Sequence, residues 1–142
     1  MPELIDANVW LALLVQEHAH HAATRQWWET IGDQQAGICR ITELCVARLL
    51  GHRVVMGSAA LPAADAWRRV MGLKEDIRVR FLEEPADLDG VLLQLLGYRV
   101  PSGNLVMDAY LAAFAICAGR RLVTHDRGFR QFKGLNLLLL GE

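Results

Sequence analysis

Residues 104–129 read NLVMDAYLAAFAICAGRRLVTHDRGF. From Leu105 onward an alanine-rich apolar run extends far enough for four helical turns, and Gly119 supplies a helix stop. RRLVT (120–124) is a short apolar run of strand length, and HDRGFRQF (125–132) has the composition of a turn with a short helix. A helix that feeds a strand and then a turn is a building unit of a parallel sheet. The stretch places one carboxylate, Asp108, at the opening of the helix and another, Asp126, just past the strand.

The same alternation continues outward. ELID (3–6) is a short strand ending at Asp6, and ANVWLALLVQ (7–16) is a helix with Val9 and Leu13, and Trp10 and Leu14, at helical spacing. HHAATRQWWETIG (20–32) is a second helix, AGICR (36–40) a second strand, and ITELCVARLLGH (41–52) a third helix ending near Gly51. LPAADAWRRVMG (61–72) is helical, IRVRFLE (77–83) alternates as a strand does, and PADLDGVLLQLLGY (85–98) is a helix with Pro85 near its start. VPSGN (100–104) is a turn in which Ser102 is placed to cap the next helix, and LNLLLL (135–140) is a last strand. Strands separated by helices predict a single α/β domain over 1–142, a three-layer α/β/α sandwich with a central, mainly parallel sheet.

In such sheets ligands bind beyond the carboxyl ends of the strands. Asp6, Glu43 and Asp126 map to that edge, and Asp108 joins them if its helix starts there. Each has a structural reading: Asp caps helices, Glu in a first turn complements the helix dipole, and Asp in HDRG is ordinary turn chemistry. Four together would repel one another and raise their own pKa values without a cation. Oxygen-only clusters of this kind suit Mg²⁺ or Mn²⁺, and such ions on carboxylates commonly hydrolyse phosphodiesters.

Totals narrow the classes. A net charge of −1 and a pI near 6.5 exclude a protein that holds nucleic acid by its overall charge, so such a role needs a local basic patch or metal ions. Cys39, Cys45 and Cys117 are odd in number and widely spaced, which points to a reducing compartment rather than a disulfide frame or zinc knuckle. The start of the chain lacks the pattern of a signal peptide, and no apolar run reaches membrane-spanning length, so a cytoplasmic protein is expected. A mean hydropathy of +0.20 hints at apolar surface covered by a partner.

Three blocks in order, LIDANVWLAL, ITELCVARLL and NLVMDAYLAAFAICAGRRLVTHDRGFRQF, resemble a PIN-domain ribonuclease of the VapC type, the toxin of a bacterial toxin–antitoxin pair. The resemblance covers essentially the whole chain. It implies that Asp6, Glu43, Asp108 and Asp126 form an acidic quartet holding Mg²⁺ or Mn²⁺, supported by Asn8 and Thr124. It further implies hydrolysis of RNA, with tRNA or another structured RNA as substrate and arrest of translation as the effect. A cognate VapB-type antitoxin and a homodimer are the implied partners, the antitoxin seated on helices that include LCVARLLG and AWRRVMG. Two positions depart from the family pattern: Gly128, where relatives often carry a further aspartate, and Met107, where a polar residue is common.

Arg127 and Arg130 lie close enough to the acidic edge to hold phosphates, while Arg120 and Arg121 read as a solvated face. His18, His20 and His21 read as an exposed connection and His125 as a turn residue. Of the adjacent Trp27 and Trp28, one is expected in the core and the other partly exposed. Gly128 favours an alternative, a PIN-like fold kept as a catalytically weak binding module. A phosphorelay receiver fits less well, because AGICR ends without an acceptor aspartate and no lysine closely follows LVTHD.

Overall fold

The computed structural model describes residues 2–141. Among them five strands form one sheet: β1 (Glu3–Ile5), β2 (Ala36–Ile38), β3 (Val79–Phe81), β4 (Leu122–Thr124) and β5 (Leu137–Leu139). Their order is β3-β2-β1-β4-β5, and each of the four pairings is parallel. Registers such as Leu4 opposite Gly37 and Leu122 leave the first strand central, with all carboxyl ends on one edge.

Alternation along the strands builds the two outer layers. Ile5, Ala36, Ile38 and Val123 face a core shared with α1 (Ala7–Leu14), α2 (His21–Trp28), α3 (Arg40–Leu50) and α5 (Ala63–Leu73). Leu4 and Leu122 face the opposite way, onto α6 (Leu88–Leu96) and α7 (Leu105–Ala118). The inner strands β1, β2 and β4 are short and covered on both faces, which is why they read as apolar runs, whereas the edge strand β3 buries Val79 and exposes Arg80 and Phe81. In α7, Ala109, Ala112, Ala113 and Ala115 are fully buried, and their small side chains let the helix lie close to the sheet. Gly37 is required for a similar reason. A Cβ there would stand 2.4 Å from Leu82 Cδ1 and 2.5 Å from the Glu3 carbonyl oxygen.

Several boundaries differ from the sequence reading. The strands are shorter than predicted, and Arg40 opens a helix rather than ending a strand. Pro85 lies outside α6, which begins only after Asp87 adopts a left-handed conformation. Asn104, not Ser102, precedes α7, and no side chain caps that helix. A four-residue helix, α4 (Arg53–Met56), and a 3₁₀ turn at Gly57–Ala59 bridge α3 and α5 where no periodicity marked them. Arg120 and Arg121 also do more than face water. Arg120 Nη1 donates to the Pro2 carbonyl at 2.9 Å and Arg121 pairs with Glu3, fastening the start of β4 to β1. Trp28 is buried edge-on to Trp10, and Trp27 is half-buried beside it, as expected of the pair.

Candidate functional site

Asp6 follows β1 and caps α1 by accepting a hydrogen bond from the Ala7 backbone N–H at 2.7 Å. It is almost wholly buried, at 8 % exposure. Its second oxygen accepts from Thr124 Oγ1 at 2.7 Å, and Thr124 Oγ1 in turn accepts from the Asp126 backbone N–H at 3.0 Å. Asn8 adds contacts at 3.4 Å to Thr124 Oγ1 and to the His125 backbone N–H. The end of β1 and the end of β4 are thus tied into one polar network across two paired strands.

Asp126 caps the 3₁₀ turn Arg127–Gln131 through a 2.7 Å bond from the Gly128 N–H. Its carboxylate is exposed, whereas Asp108, in the first turn of α7, is half-buried. Asp6, Asp108 and Asp126 line one cleft of about 210 Å³, together with Thr42, Arg48 and Asn104. Burial, then the nearby charges of Asp6 and Asp126, push the Asp108 carboxyl up to about 6. Burial also raises Asp6. The hydrogen bonds from Thr124 and Ala7 counter that rise, and Asp126 adds to it.

Glu43 is placed elsewhere. It lies on the same face of α3 as Val46 and Leu50, which are packed into the core. Its side chain is fully buried, 3.1 Å from Arg40 Nη1 and 2.8 Å from Lys74 Nζ. These contacts are ionic and do not have hydrogen-bond geometry. The cleft is walled instead by the neighbouring face of α3, with Ile41, Thr42, Cys45, Arg48 and Leu49. The structure therefore gathers three of the four expected acids and sets Glu43 apart. The spacing of residues 43, 46 and 50 is a single helical stripe, and that signal was present in the sequence. Arg48 was equally legible, three residues after Cys45 on the cleft face.

Arg127 and Arg130 are exposed on the turn that follows Asp126. His125 is turned away from the acids. Its Nε2 lies 2.9 Å from Thr24 Oγ1, and its ring stacks on His20 with centroids 4.5 Å apart. The His18–His21 segment thus packs partly on the sheet edge rather than serving only as an exposed connection. Met107 adds an apolar element to the cleft wall. A Cβ at Gly128 would stand 3.0 Å from Asp126 Oδ1, so a side chain there would crowd the last acid.

Among the described residues, no three Asp, Glu, His or Cys side chains are drawn close enough to cage a metal ion. The donor set nonetheless suits a hard divalent cation. It offers only oxygen, and behind the effect of burial the charge of Asp126 raises Asp6 while those of Asp6 and Asp126 raise Asp108, a burden that a cation would relieve. Mg²⁺ commonly takes one or two carboxylates and keeps waters in the rest of its shell.

Comparison with known proteins gives the relationships. The PIN domain model matches residues 4–135. Ribonuclease VapC41 of Mycobacterium tuberculosis is 38 % identical, over 98 % of this chain and 99 % of its own. Ribonuclease VapC38 of the same organism is 34 % identical over 88 % of this chain and 85 % of its own. The fold is shared with a chain of DNA-bound VapBC from Salmonella typhimurium, at TM-score 0.69 and 17 % identity over 97 % of this chain and 98 % of that one. It is also shared with VapC20 of M. tuberculosis, described as a sarcin–ricin loop cleaving toxin, at TM-score 0.66 and 18 % identity over 89 % and 92 %. With the PIN match spanning most of its length and a VapC ribonuclease aligned end to end, the chain belongs to the PIN-domain family as a VapC-type member.

Proposed function

We propose that the chain is a metal-dependent endoribonuclease and the toxin of a toxin–antitoxin pair, acting in the cytoplasm. The observation that carries the reading is the convergence of Asp6, Asp108 and Asp126 on one cleft, with Asp108 held at about 6 by burial and by the other two acids. The names of the aligned relatives, ribonucleases VapC41 and VapC38, support the same class.

Asp6, Asp108 and Asp126 would hold Mg²⁺ or Mn²⁺. When bound, that cation supplies the positive charge that an attack of water on an RNA phosphodiester requires. The chain's own residues do the rest. Thr124 and the Ala7 N–H fix the Asp6 carboxylate in one orientation, and Thr124 also holds the Asp126 backbone. Arg48 and Asn104 offer donors on the cleft wall for phosphate oxygens, with Arg127 and Arg130 beyond the last acid. His125 takes no part in proton transfer, because its ring is engaged by Thr24, His20 and the Leu140 carbonyl.

The substrate is a structured RNA, with tRNA the first choice, and cleavage stops translation. A VapB-type antitoxin and a second copy of the chain are the partners. Exposed apolar side chains from α3 to α5 support a protein partner there: Leu44 and Met71 are half exposed and Val54 nearly fully. No helix among the described residues is long and apolar enough to cross a membrane. Induction in a bacterial host tests the proposal. Growth and protein synthesis should stop with wild type, continue with Asp108→Asn, and recover when the antitoxin is co-expressed. Arrest by both forms would refute the assigned site.

Gly128 favours a second reading, a binding module with weak catalysis, because no carboxylate stands at that position. Barely detectable Mn²⁺ binding with unaltered partner binding would favour the module.

A further inference from the structure

Beside the acids, on the same carboxyl edge of the sheet, stands a second cluster. Arg40 follows β2, Phe81 ends β3, and Lys74 and Trp67 come from α5 and its end. The Arg40 guanidinium lies 5.2 Å from the Phe81 ring centroid and 5.9 Å from that of Trp67. Lys74 Nζ lies 5.3 Å from the Phe81 centroid. Beneath both cations sits the fully buried Glu43 carboxylate. Arg40 and Phe81 both reach solvent, with the Arg40 side chain 58 % exposed and Phe81 37 % exposed.

A carboxylate taken wholly out of water needs a compensating charge, and one cation would suffice. Here two surround it, so the cluster carries a net positive charge beside an acidic cleft. Arg40 retains N–H donors that a single Glu43 oxygen does not use, and Lys74 retains ammonium protons. Neighbouring strands stand about 5 Å apart, so β2 and β3 end about 5 and 10 Å from β1, within a few nucleotides of the cleft. A cation that can meet phosphate, alternating with an aromatic face that can meet a base, is how single-stranded nucleic acid is held without sequence readout.

We infer that Glu43 is a positioning residue rather than a metal ligand, and that Arg40, Lys74 and Phe81 form a platform for the single-stranded RNA flanking the scissile bond. The inference rests on the ribonuclease reading for its ligand and departs from the family expectation for Glu43.

Two measurements on the full-length protein test it, and neither depends on cleavage. The first is binding of a fluorescein-labelled 15-nucleotide single-stranded RNA in EDTA, over a salt series. Phe81→Ala should weaken binding at least fivefold, by loss of stacking. Lys74→Gln should flatten the dependence of log affinity on log salt by about 0.7, one phosphate contact on a single strand. Arg68→Gln, which removes an exposed charge from the outer face of α5, should leave that slope unchanged. The second is Mn²⁺ calorimetry. Glu43→Gln should bind Mn²⁺ within twofold of wild type, whereas Asp108→Asn should lose tenfold or more.

Wild-type RNA affinity and salt slope in both Phe81→Ala and Lys74→Gln would overturn the platform, including where the same variants weaken a protein partner instead. A tenfold loss of Mn²⁺ affinity in Glu43→Gln, with an unchanged circular dichroism spectrum, would return Glu43 to the metal site. Should Glu43→Gln not fold, the exposed Phe81→Ala variant still decides the platform. Absence of cleavage in Mn²⁺ with RNA binding lost in Phe81→Ala would refute the nuclease and leave the platform standing.

Discussion

Asp108→Asn should make the metal-free protein more stable at neutral pH and leave it unchanged in acid. The carboxyl is held at about 6 against an ordinary 3.8, by burial and by Asp6 and Asp126. Because the folded-state value is the higher one, folding favours the protonated acid. This contribution is fully present below about pH 4 and is lost as pH rises through 6. At roughly 1.36 kcal/mol per pH unit the difference corresponds to about 3 kcal/mol, and solvent screening at this half-exposed side chain roughly halves it. The first turn of α7 returns about 0.5 kcal/mol to the ionised form through the helix dipole. About 1 kcal/mol remains, or a rise in Tm of roughly 3 °C for a chain of this size. Thermal melts in EDTA at pH 7.5 and pH 4 check it. Saturating Mn²⁺ should reverse the order at pH 7.5, since a cation at 100 times its Kd stabilises wild type by about 2.7 kcal/mol. A destabilised Asp108→Asn in EDTA, or a gain equal at both pH values, would refute the idea that burial and the neighbouring acids hold the Asp108 carboxyl up.

Other consequences are open to direct measurement. Thr124→Val keeps the shape of a fully buried side chain but leaves an Asp6 oxygen and the Asp126 N–H without their partner. It should cost about 1–3 kcal/mol in urea melts and weaken Mn²⁺ binding. Arg40→Ala with Lys74→Ala strands the Glu43 carboxylate in the core and should cost about 3–5 kcal/mol, whereas adding Glu43→Leu should restore most of it. Gly128→Asp brings a Cβ to 3.0 Å from Asp126 Oδ1, so it should displace that carboxylate and alter Mn²⁺ affinity. Phe114→Ala, on the buried side of α7, should lower stability by about 3–5 kcal/mol with little effect on Mn²⁺ binding.

The layered parallel fold was legible because the strands are short apolar or alternating runs between helical patterns, as RRLVT lies between α7 and the HDRG turn. The positions of Asp6 and Asp126 followed from the same reading, since a residue just past a strand in such a sheet must stand at its carboxyl edge. Asp108 required only that α7 begin there. For Glu43, sequence distance gives a helix position but not which way the helix is turned. The stripe formed with Val46 and Leu50 decides that, and it points into the core. Arg40, Lys74 and Phe81 were invisible as a group, because only the pairing of β3 beside β2 brings them together. The His20–His125 stack joins residues 105 apart in the chain, and nothing local announces it.

In the proposed function, three aspartates on one sheet edge hold a cation that serves RNA hydrolysis. Incubating purified, antitoxin-free protein with a total tRNA pool, in Mg²⁺ or Mn²⁺ against EDTA and beside Asp108→Asn, tests it most directly. Discrete fragments that need the metal and vanish in the variant are the predicted result. Cleavage that persists in EDTA or in Asp108→Asn, or no cleavage of tRNA, ribosomal RNA or other RNA under any of these conditions, would contradict it.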